Sequence, residues 1–214
     1  MRRYIVGVTS ASGSICAGAL LRELVLHPEV ERIHVVLSHF ALLTLNAEMR
    51  AGAKDEAAGL RALLGAPGRR AGRGASSGPS RPEPEVILHR AGDMAAAISS
   101  GSYPTDGMAV VPCSGGTLAA IANGTTSNLI HRAAEVTLKE RRPLILAFRE
   151  SPISLVHIEN MRRATRAGAV IFSLTPSFYN RPQGIDEILE QFTARIFDLL
   201  RLPHSLGKRW GTPR

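Results

Sequence analysis

Small hydroxyl residues, mostly accompanied by glycine, occur in four short segments that are suited to binding a phosphate or a polar ring edge. Three segments read TSASGS (residues 9–14), ISSGS (98–102) and PCSGGT (112–117), and the fourth is Ser38 with His39. Hydroxyl groups and free backbone N–H groups at helix starts donate hydrogen bonds to such ligands. For any single segment the alternative is ordinary helix capping, for which Ser and Thr are common. Four segments gathered at one edge of a sheet would favour a binding site.

The first of these segments contains Gly13 as its only glycine. A dinucleotide-binding turn carries three glycines, which let the backbone approach a pyrophosphate. This segment therefore predicts a turn that holds a different ligand.

Charged residues form a second group. Arg132 and Lys139 are seven residues apart and share one helix face, on which Glu135 could pair with Lys139 to give a simple salt-bridged helix. The strand that follows ends in Arg149 and Glu150. Neighbouring cations lower the proton affinity of a carboxylate, which suits a base or a hydrogen-bond acceptor, although an ion pair between the two neighbours is the ordinary alternative.

The segment TPSFYNRPQGIDE follows the last apolar run and precedes a helix that contains Arg195. Tyr179 lies beside Asn180 and Arg181, so its hydroxyl is a candidate phosphate ligand. A packed surface aromatic is the alternative.

These residues are positioned by strands that alternate with helices. Several strands are apolar on both faces, which predicts a doubly wound α/β fold with a mostly parallel sheet, a Rossmann-like or flavodoxin-like three-layer sandwich. Ligands of such sheets bind outside the carboxyl ends of the strands. The predicted strands are 4–8, 33–37, 85–88, 108–111, 144–148 and 170–174, and the predicted helices are 15–27, 40–50, 115–122, 129–141, 154–167 and 185–202.

Length and composition predict one domain over residues 1–214, since 214 residues with 44% hydrophobic content suffice for one core. The net charge of +8 permits a nucleic-acid partner, but dispersed arginines and 5% aromatic residues do not favour one.

Cys16 and Cys113 predict neither a disulfide framework nor a metal site. Polar residues 9–14 interrupt the apolar run after the N-terminus, so we expect a cytoplasmic protein without a signal peptide or a membrane span.

One segment, Gly65–Glu85, breaks the α/β rhythm because it is rich in Gly, Pro, Ser and Arg. Such a composition cannot bury enough apolar surface to offset ordering, which predicts a disordered insertion on the surface. A basic arm that contacts a partner is the alternative.

Five sequence blocks together resemble the UbiX-type flavin prenyltransferases: ISSGS, PCSGGTLAAIANG, NLIHRAAEVTLKERRPLILAFRESP, FYNRPQ and RWG. The resemblance covers nearly the whole chain apart from Gly65–Glu85. It implies an enzyme that attaches the dimethylallyl group of dimethylallyl monophosphate to N5 of reduced FMN and closes a ring onto C6. The product, prenylated FMN, serves a UbiD-type decarboxylase. The resemblance further implies a homododecamer with sites between subunits, and no metal.

The resemblance also implies a role for individual residues. Trp210 would close the pocket, and Tyr179 and Arg195 would come from a neighbouring subunit. Residues that would bind FMN are Ser10, Ala11, Ser12, Gly13, Ser38, Ser99, Ser100, Gly101, Ser102, Ser114, Thr117 and Arg132. Residues that would surround the prenyl phosphate are Lys139, Arg149, Tyr179, Arg195 and Trp210. Residues with catalytic roles would be Ser12 near the reactive flavin edge, Lys139, and the acid/base candidates Glu48 and Glu150.

Three positions depart from the family pattern: Ser10 replaces a usual glycine, His39 a usual lysine and Cys16 a common aromatic residue. These departures leave room for altered turnover or donor preference. Two other functions remain open, a flavin-dependent decarboxylase of cysteine-type substrates and a non-catalytic FMN carrier. The first lacks its catalytic His and its Asn/Met-rich motif here, and the second would not need a second phosphate pocket.

Overall fold

In the computed structural model of the chain, residues 1–65, 83–207, 209 and 211 are described. These residues form strands β1 (Arg2–Val8), β2 (Val30–Leu37), β3 (Glu85–His89), β4 (Gly107–Cys113), β5 (Leu144–Phe148) and β6 (Val170–Ser173). The helices are α1 (Ser14–Leu26), α2 (Ala41–Met49), α3 (Glu56–Gly65), α4 (Gly115–Ala122), α5 (Leu129–Lys139), α6 (Leu155–Ala167) and α7 (Ile185–Leu199). Short 3₁₀ turns occupy Ala97–Ser99 and Phe178–Asn180. Within the described residues, no helix is long and apolar enough to cross a membrane.

The strands form one parallel sheet in the order β3-β2-β1-β4-β5-β6. This is the strand order of the Rossmann fold, in which the chain runs outward from β1 and then returns to add β4 on its other side. The predicted doubly wound α/β fold is confirmed. The loops after β1 and β4 therefore lie side by side at the point where the order reverses.

Helices cover both faces of the sheet, which explains why its central strands are apolar on both faces. Strands β4 and β5 are buried along their whole length. On one face Tyr4 and Val6 pack with residues of α1 and α7, and on the other face Ile5 and Met108 pack with residues of α4 and α5. Full burial of one such apolar side chain contributes about 1.5–3 kcal/mol. Packing of the helices on both faces therefore stabilises the sheet, whose strand ends carry the loops.

Helix α3 is present in the structure, although the sequence pattern does not predict it. Its start is fixed by Asp55, whose carboxylate accepts a hydrogen bond from the Ala58 N–H at 2.7 Å. Its Leu63 is fully buried, and a Cβ added at Gly59 would lie 2.6 Å from Leu42 Cδ2 of α2. An Asp followed by an Ala- and Leu-rich run is a helix-start signal, but ten residues are too few to display a clear periodicity.

The predicted insertion at Gly65–Glu85 connects α3 to β3, because Gly65 ends the helix and Glu85 begins the strand. Residues 66–82 lie outside the described residues. The surface-insertion and basic-arm interpretations both concern those residues and stay predictions.

A buried histidine on β2 contacts the edge strand β3. His34 on β2 is 1% exposed, its Nδ1 lies 2.8 Å from His89 Nε2 on β3, and its Nε2 lies 3.0 Å from the Tyr103 hydroxyl. Burial lowers the pKa of His34 to about 4, and the charges of His89 and Arg32 act in the same direction. Burial also lowers the pKa of His89. The folded protein therefore holds His34 neutral.

This histidine makes stability depend on pH. An unfolded His34 takes up a proton near its ordinary pKa of 6.5, whereas the folded protein resists protonation until the pH nears 4. Stability is thus lost as the pH falls through this window, and we expect His34 to account for about 2–3 kcal/mol of the free energy of unfolding lost by about pH 4.5. Urea unfolding of His34→Gln across the window should give a shallower slope against pH. The exposed control His39→Gln should keep the wild-type slope, and a wild-type slope in His34→Gln would contradict the prediction.

Candidate active site

The turns after β1 and β4 are joined by one buried hydroxyl group. Thr9 is 1% exposed, its Oγ1 donates to the Pro112 carbonyl at 2.8 Å, and the same oxygen accepts the Ser114 N–H at 2.9 Å. Ser114 then caps α4, since its Oγ accepts the Thr117 N–H at 3.3 Å. The predicted ligands Ser114 and Thr117 are thereby held beside the turn after β1. Thr9 itself is not among the predicted site residues, although it belongs to the quoted TSASGS segment.

Gly13 starts α1 in a left-handed conformation, with φ 117° and ψ 24°. A Cβ at this position would meet no atom closer than 3.6 Å, so the backbone conformation rather than space favours glycine. The turn therefore uses its single glycine to direct N–H groups outward from the start of the helix.

Glu48, near the end of α2, accepts those N–H groups. Its Oε1 lies 2.8 Å from Gly13 N and its Oε2 lies 2.8 Å from Ser14 N. The free N–H groups of a helix start and the positive end of its dipole both attract an anion. The structure thus shows that this turn binds a carboxylate, and it brings Glu48 together with the predicted turn residues.

Space for a ligand lies beside this contact. A cavity of about 710 Å³ is lined by Ser12, Gly13 and Glu48 at its polar part, and its remaining lining is mostly apolar: Ile15, Met49, Ala51, Ala62 and Gly65. Ser10 and Ser12 are exposed, whereas Ala11 is buried. Ser14 Oγ is buried and has no hydrogen-bond partner among the described residues. Polar donors next to an apolar wall suit a small organic ligand with polar groups.

Ser38 is tied to the same edge, because its N–H donates to the Val8 carbonyl at the end of β1 at 2.9 Å. The usual lysine after it is His39 in this chain, and that side chain is exposed.

Arg149 and Glu150 follow β5 directly and are both exposed. The Arg149 N–H donates to the Cys113 carbonyl at 3.2 Å, and Glu150 Oε1 accepts the Ser151 N–H at 3.2 Å. Among the described residues the Arg149 guanidinium forms no ion pair, so the ordinary pairing with Glu150 does not occur. Arg149 is therefore available to an anionic ligand at the carboxyl edge.

The ISSGS segment lies apart from these turns. Arg132 Nε donates to the Ser99 carbonyl at 3.0 Å, and a Cβ at Gly101 would lie 2.6 Å from Lys139 Nζ. Helix α5 leads to the start of β5, so Lys139 at its end lies toward the amino edge of the sheet. The chain must return to that edge to begin β4, which places Ser99–Ser102 along α5 rather than at the carboxyl edge.

The charges on α5 also pair differently from the sequence-based expectation. Glu135 pairs with Arg132 at 2.7 Å and not with Lys139, which pairs with Glu140 at 2.7 Å. Arg142, which is not among the predicted site residues, holds the segment by donating to the Gly101 and Tyr103 carbonyls at 2.8 and 3.0 Å. Its place in the KERRPL run is the only sequence signal for this role.

Tyr179 and Arg195 lie in a third region. Tyr179 is 60% exposed in its 3₁₀ turn, and Arg195 is exposed on α7. Among the described residues, the guanidinium of Arg195 binds Asp198 and no residue of the two groups above. Trp210, the predicted lid residue, lies outside the described residues.

The two thiols are poor nucleophiles in this environment. Burial raises the pKa of Cys16 to about 12, and Glu48 adds to the effect; burial alone raises the pKa of Cys113. The reactive form of cysteine is the thiolate, which both sites disfavour. In the part of the chain that is described, no group of three or more His, Cys, Asp or Glu side chains is placed to hold a metal ion.

Comparison with known proteins gives matches over nearly the whole chain. Residues 1–195 match the family described as Flavoprotein. The chain is 39% identical over 210 residues to the flavin prenyltransferase LpdB of Lactiplantibacillus plantarum, covering 98% of each protein.

Two solved structures are similar over the same extent. AnUbiX (PadA1), in complex with FMN and dimethylallyl pyrophosphate, has a TM-score of 0.78 and 38% identity, covering 100% of this chain and 99% of that one. The dodecameric FMN-dependent UbiX-like decarboxylase from Escherichia coli O157:H7 has a TM-score of 0.80 and 38% identity, covering 98% of this chain and all of that one.

The Glu48 contact predicts a measurable stabilisation. Glu48→Ala removes the acceptor for Gly13 and Ser14, and we expect the free energy of unfolding to fall by about 1 kcal/mol, because a charged acceptor at a helix start is lost. Urea unfolding measures this. The control Glu159→Ala removes an exposed ion pair with Arg162 on α6 and should change stability by less than about 0.5 kcal/mol. Equal losses in both variants would show that the Glu48 contacts stabilise the fold no more than an exposed ion pair does.

Proposed function

The chain belongs to the UbiX-type flavin prenyltransferases of the flavoprotein family, and from this membership we propose that it joins the dimethylallyl group of dimethylallyl monophosphate to N5 and C6 of reduced FMN. The product is prenylated FMN, which we propose is passed to a UbiD-type decarboxylase. AnUbiX binds FMN and the corresponding diphosphate. The monophosphate as donor is therefore a specific part of the proposal.

The observation that supports this function most is the joined pair of turns after β1 and β4. Thr9 fixes them side by side, the Gly13 and Ser14 N–H groups already bind a carboxylate, and the hydroxyls of Ser10 and Ser12 are exposed beside them. The two exposed hydroxyl groups fit a flavin ring edge and its polar substituents. Because the ligand is not a pyrophosphate, one glycine suffices at this turn.

Ser10, Ala11, Ser12 and Gly13 border the flavin in this proposal, with Ser12 at its reactive edge and Ser38 and Ser114 alongside. The flavin supplies the nucleophilic N5 and C6, so the protein needs no nucleophile of its own. This agrees with the buried thiols of Cys16 and Cys113.

Cationic residues assist departure of the donor phosphate. As the carbon–oxygen bond breaks, its electron pair leaves with the phosphate, and guanidinium or ammonium groups stabilise the developing charge. Arg149 is positioned at the carboxyl edge with its guanidinium unpaired in the described chain, and Lys139, Arg195 and the Tyr179 hydroxyl complete the set. Closure onto C6 uses the electrons of the prenyl double bond, so one proton is added to the prenyl chain and one is lost from C6. Glu150 is the proposed base for the C6 proton, and the departing phosphate is a competitor.

The site is proposed to form between subunits. Within the described residues of one chain, Arg132 bonds to Ser99, Lys139 to Glu140 and Arg195 to Asp198, and none of these three cations bonds to the turns at the carboxyl edge. Copies of the chain in a closed assembly can bring such surfaces together, and a similar protein from Escherichia coli O157:H7 is dodecameric. A homododecamer is the proposed assembly.

Decarboxylation is the second candidate function, because that Escherichia coli protein is described as a decarboxylase. A non-catalytic FMN carrier is the third. The exposed cation Arg149 beside Glu150 argues for chemistry at a second ligand rather than flavin binding alone.

Anaerobic incubation with reduced FMN and dimethylallyl monophosphate, followed by mass spectrometry of the extracted flavin, tests the activity. We expect a gain of one C5 unit with the monophosphate. Parallel reactions with the diphosphate and with a cysteinyl peptide test donor choice and decarboxylation. Flavin that binds but stays unmodified with every donor would contradict the proposal.

Two substitutions test the residue roles in this assay. Lys139→Ala and Glu150→Gln should lower product formation by about 100-fold or more, because each removes electrostatic or base assistance in the reaction, while FMN still binds. Glu159→Gln on α6 is the matched control and should keep wild-type turnover. Wild-type turnover in both site variants would refute these roles.

Mixing two variants of low activity tests the shared site. Glu150→Gln and Arg195→Ala subunits, co-expressed and purified together, form some sites that combine a native Glu150 with a native Arg195 from a neighbour. Random assembly of equal amounts predicts about a quarter of wild-type activity. Activity no higher than in either variant alone would place Glu150 and Arg195 of one site in the same subunit.

A further inference from the structure

Asp198, on the last turn of α7, is the centre of a charged cluster that includes Arg195. One carboxylate oxygen, Oδ2, accepts from Arg195 Nη1 at 2.6 Å. The other, Oδ1, lies 3.0 Å from His204 Nε2 and 2.8 Å from Arg209 Nη2. Asp198 therefore connects a predicted substrate-binding residue to the segment that follows the helix.

His204 is fixed in this cluster. Its side chain is 3% exposed, its ring packs edge-on against Phe197 with centroids 5.8 Å apart, and its Nδ1 lies 3.1 Å from Leu206 N. Because Nδ1 accepts the Leu206 N–H, a neutral ring carries its proton on Nε2, which then donates to Asp198. Asp198 is thus anchored by a buried donor that does not depend on Arg195.

The charges leave Arg195 able to bind an anion. Burial raises the pKa of Asp198, but the hydrogen bonds from Arg209 and His204 outweigh it and hold that pKa below the ordinary value. One carboxylate thus faces two guanidinium groups. Arg195 uses one of its five N–H donors in the bond to Asp198, and 63% of its side chain is exposed. Within the described residues its remaining donors are open to a ligand.

We propose that Asp198 is a positioning residue, which holds the Arg195 guanidinium in the orientation that receives the phosphate of the prenyl donor. The inference rests on the proposed function, in which Arg195 binds that phosphate. A free arginine side chain samples many rotamers and loses this freedom on binding. Asp198 removes part of that loss in advance, because it is itself held in place by His204 and Arg209.

A competing role would give the opposite effect. A carboxylate beside a phosphate-binding arginine also repels the phosphate, and if repulsion were dominant, removing it would tighten donor binding. The geometry favours positioning, since one hydrogen bond to Asp198 occupies a single donor of Arg195 and, in the described part of the chain, leaves its other four donors to a ligand.

Steady-state kinetics of Asp198→Asn separate these roles. We expect KM for dimethylallyl monophosphate to rise by about threefold to tenfold and kcat to fall by no more than the same factor, with FMN affinity within about twofold of wild type, because Arg195 both captures the donor and stabilises its departing phosphate. Asp198→Glu keeps the charge and should recover part of the loss. Asp186→Asn, on the first turn of the same helix, is the matched control and should leave KM unchanged. If Asp198→Asn does not fold, Asp198→Ser carries the same expectation.

A double-mutant cycle with Arg195→Ala decides whether Asp198 acts through Arg195. In the Arg195→Ala background, the Asp198 substitution should change KM by less than about twofold. An equal effect in both backgrounds, or a lower KM in Asp198→Asn, would overturn the inference alone. An unchanged KM in Arg195→Ala itself would instead refute the role of Arg195 in the proposed function, and the inference with it.

Discussion

The buried hydroxyl of Thr9 is the interaction on which the candidate site depends. It donates to Pro112 and accepts from Ser114, so it fixes the ends of β1 and β4 where the strand order reverses. In a parallel sheet, this reversal opens a crevice because the two neighbouring loops diverge to opposite faces. Thr9 joins the two turns at that point, and the hydroxyl groups of Ser10 and Ser12 stay exposed beside it.

In this Rossmann-type sheet, the turn after β1 contains a single glycine. Gly13 supplies the positive φ, and the N–H groups it presents are met by a carboxylate from α2 rather than by a pyrophosphate. A dinucleotide turn needs further glycines because the backbone must approach two phosphates closely. Small hydroxyl residues can take their place when the ligand is a flat ring whose edge accepts hydrogen bonds.

The arrangement of the charged residues suits a site completed by other copies of the chain. Arg149 and Glu150 lie at the carboxyl edge, Lys139 lies toward the amino edge, and Arg195 lies on α7. Exposed apolar side chains accompany them, including Leu155 at 72% and Phe178 at 72% exposure. Such surfaces are unusual for residues that act within one chain, and they are ordinary for residues that meet at an interface.

The amino-acid sequence by itself determined the six strands, six of the seven helices, the parallel sheet and the family, because apolar runs and the quoted motifs are local. It also predicted that Gly13, Ser114 and Arg149 lie in the loops that follow strands. Only the tertiary structure decided that Glu48 reaches Gly13, that Glu135 pairs with Arg132, that ISSGS runs along α5, and that Asp198 joins Arg195 to His204. These are choices among several partners within reach of one side chain, and the packing of distant elements selects between them.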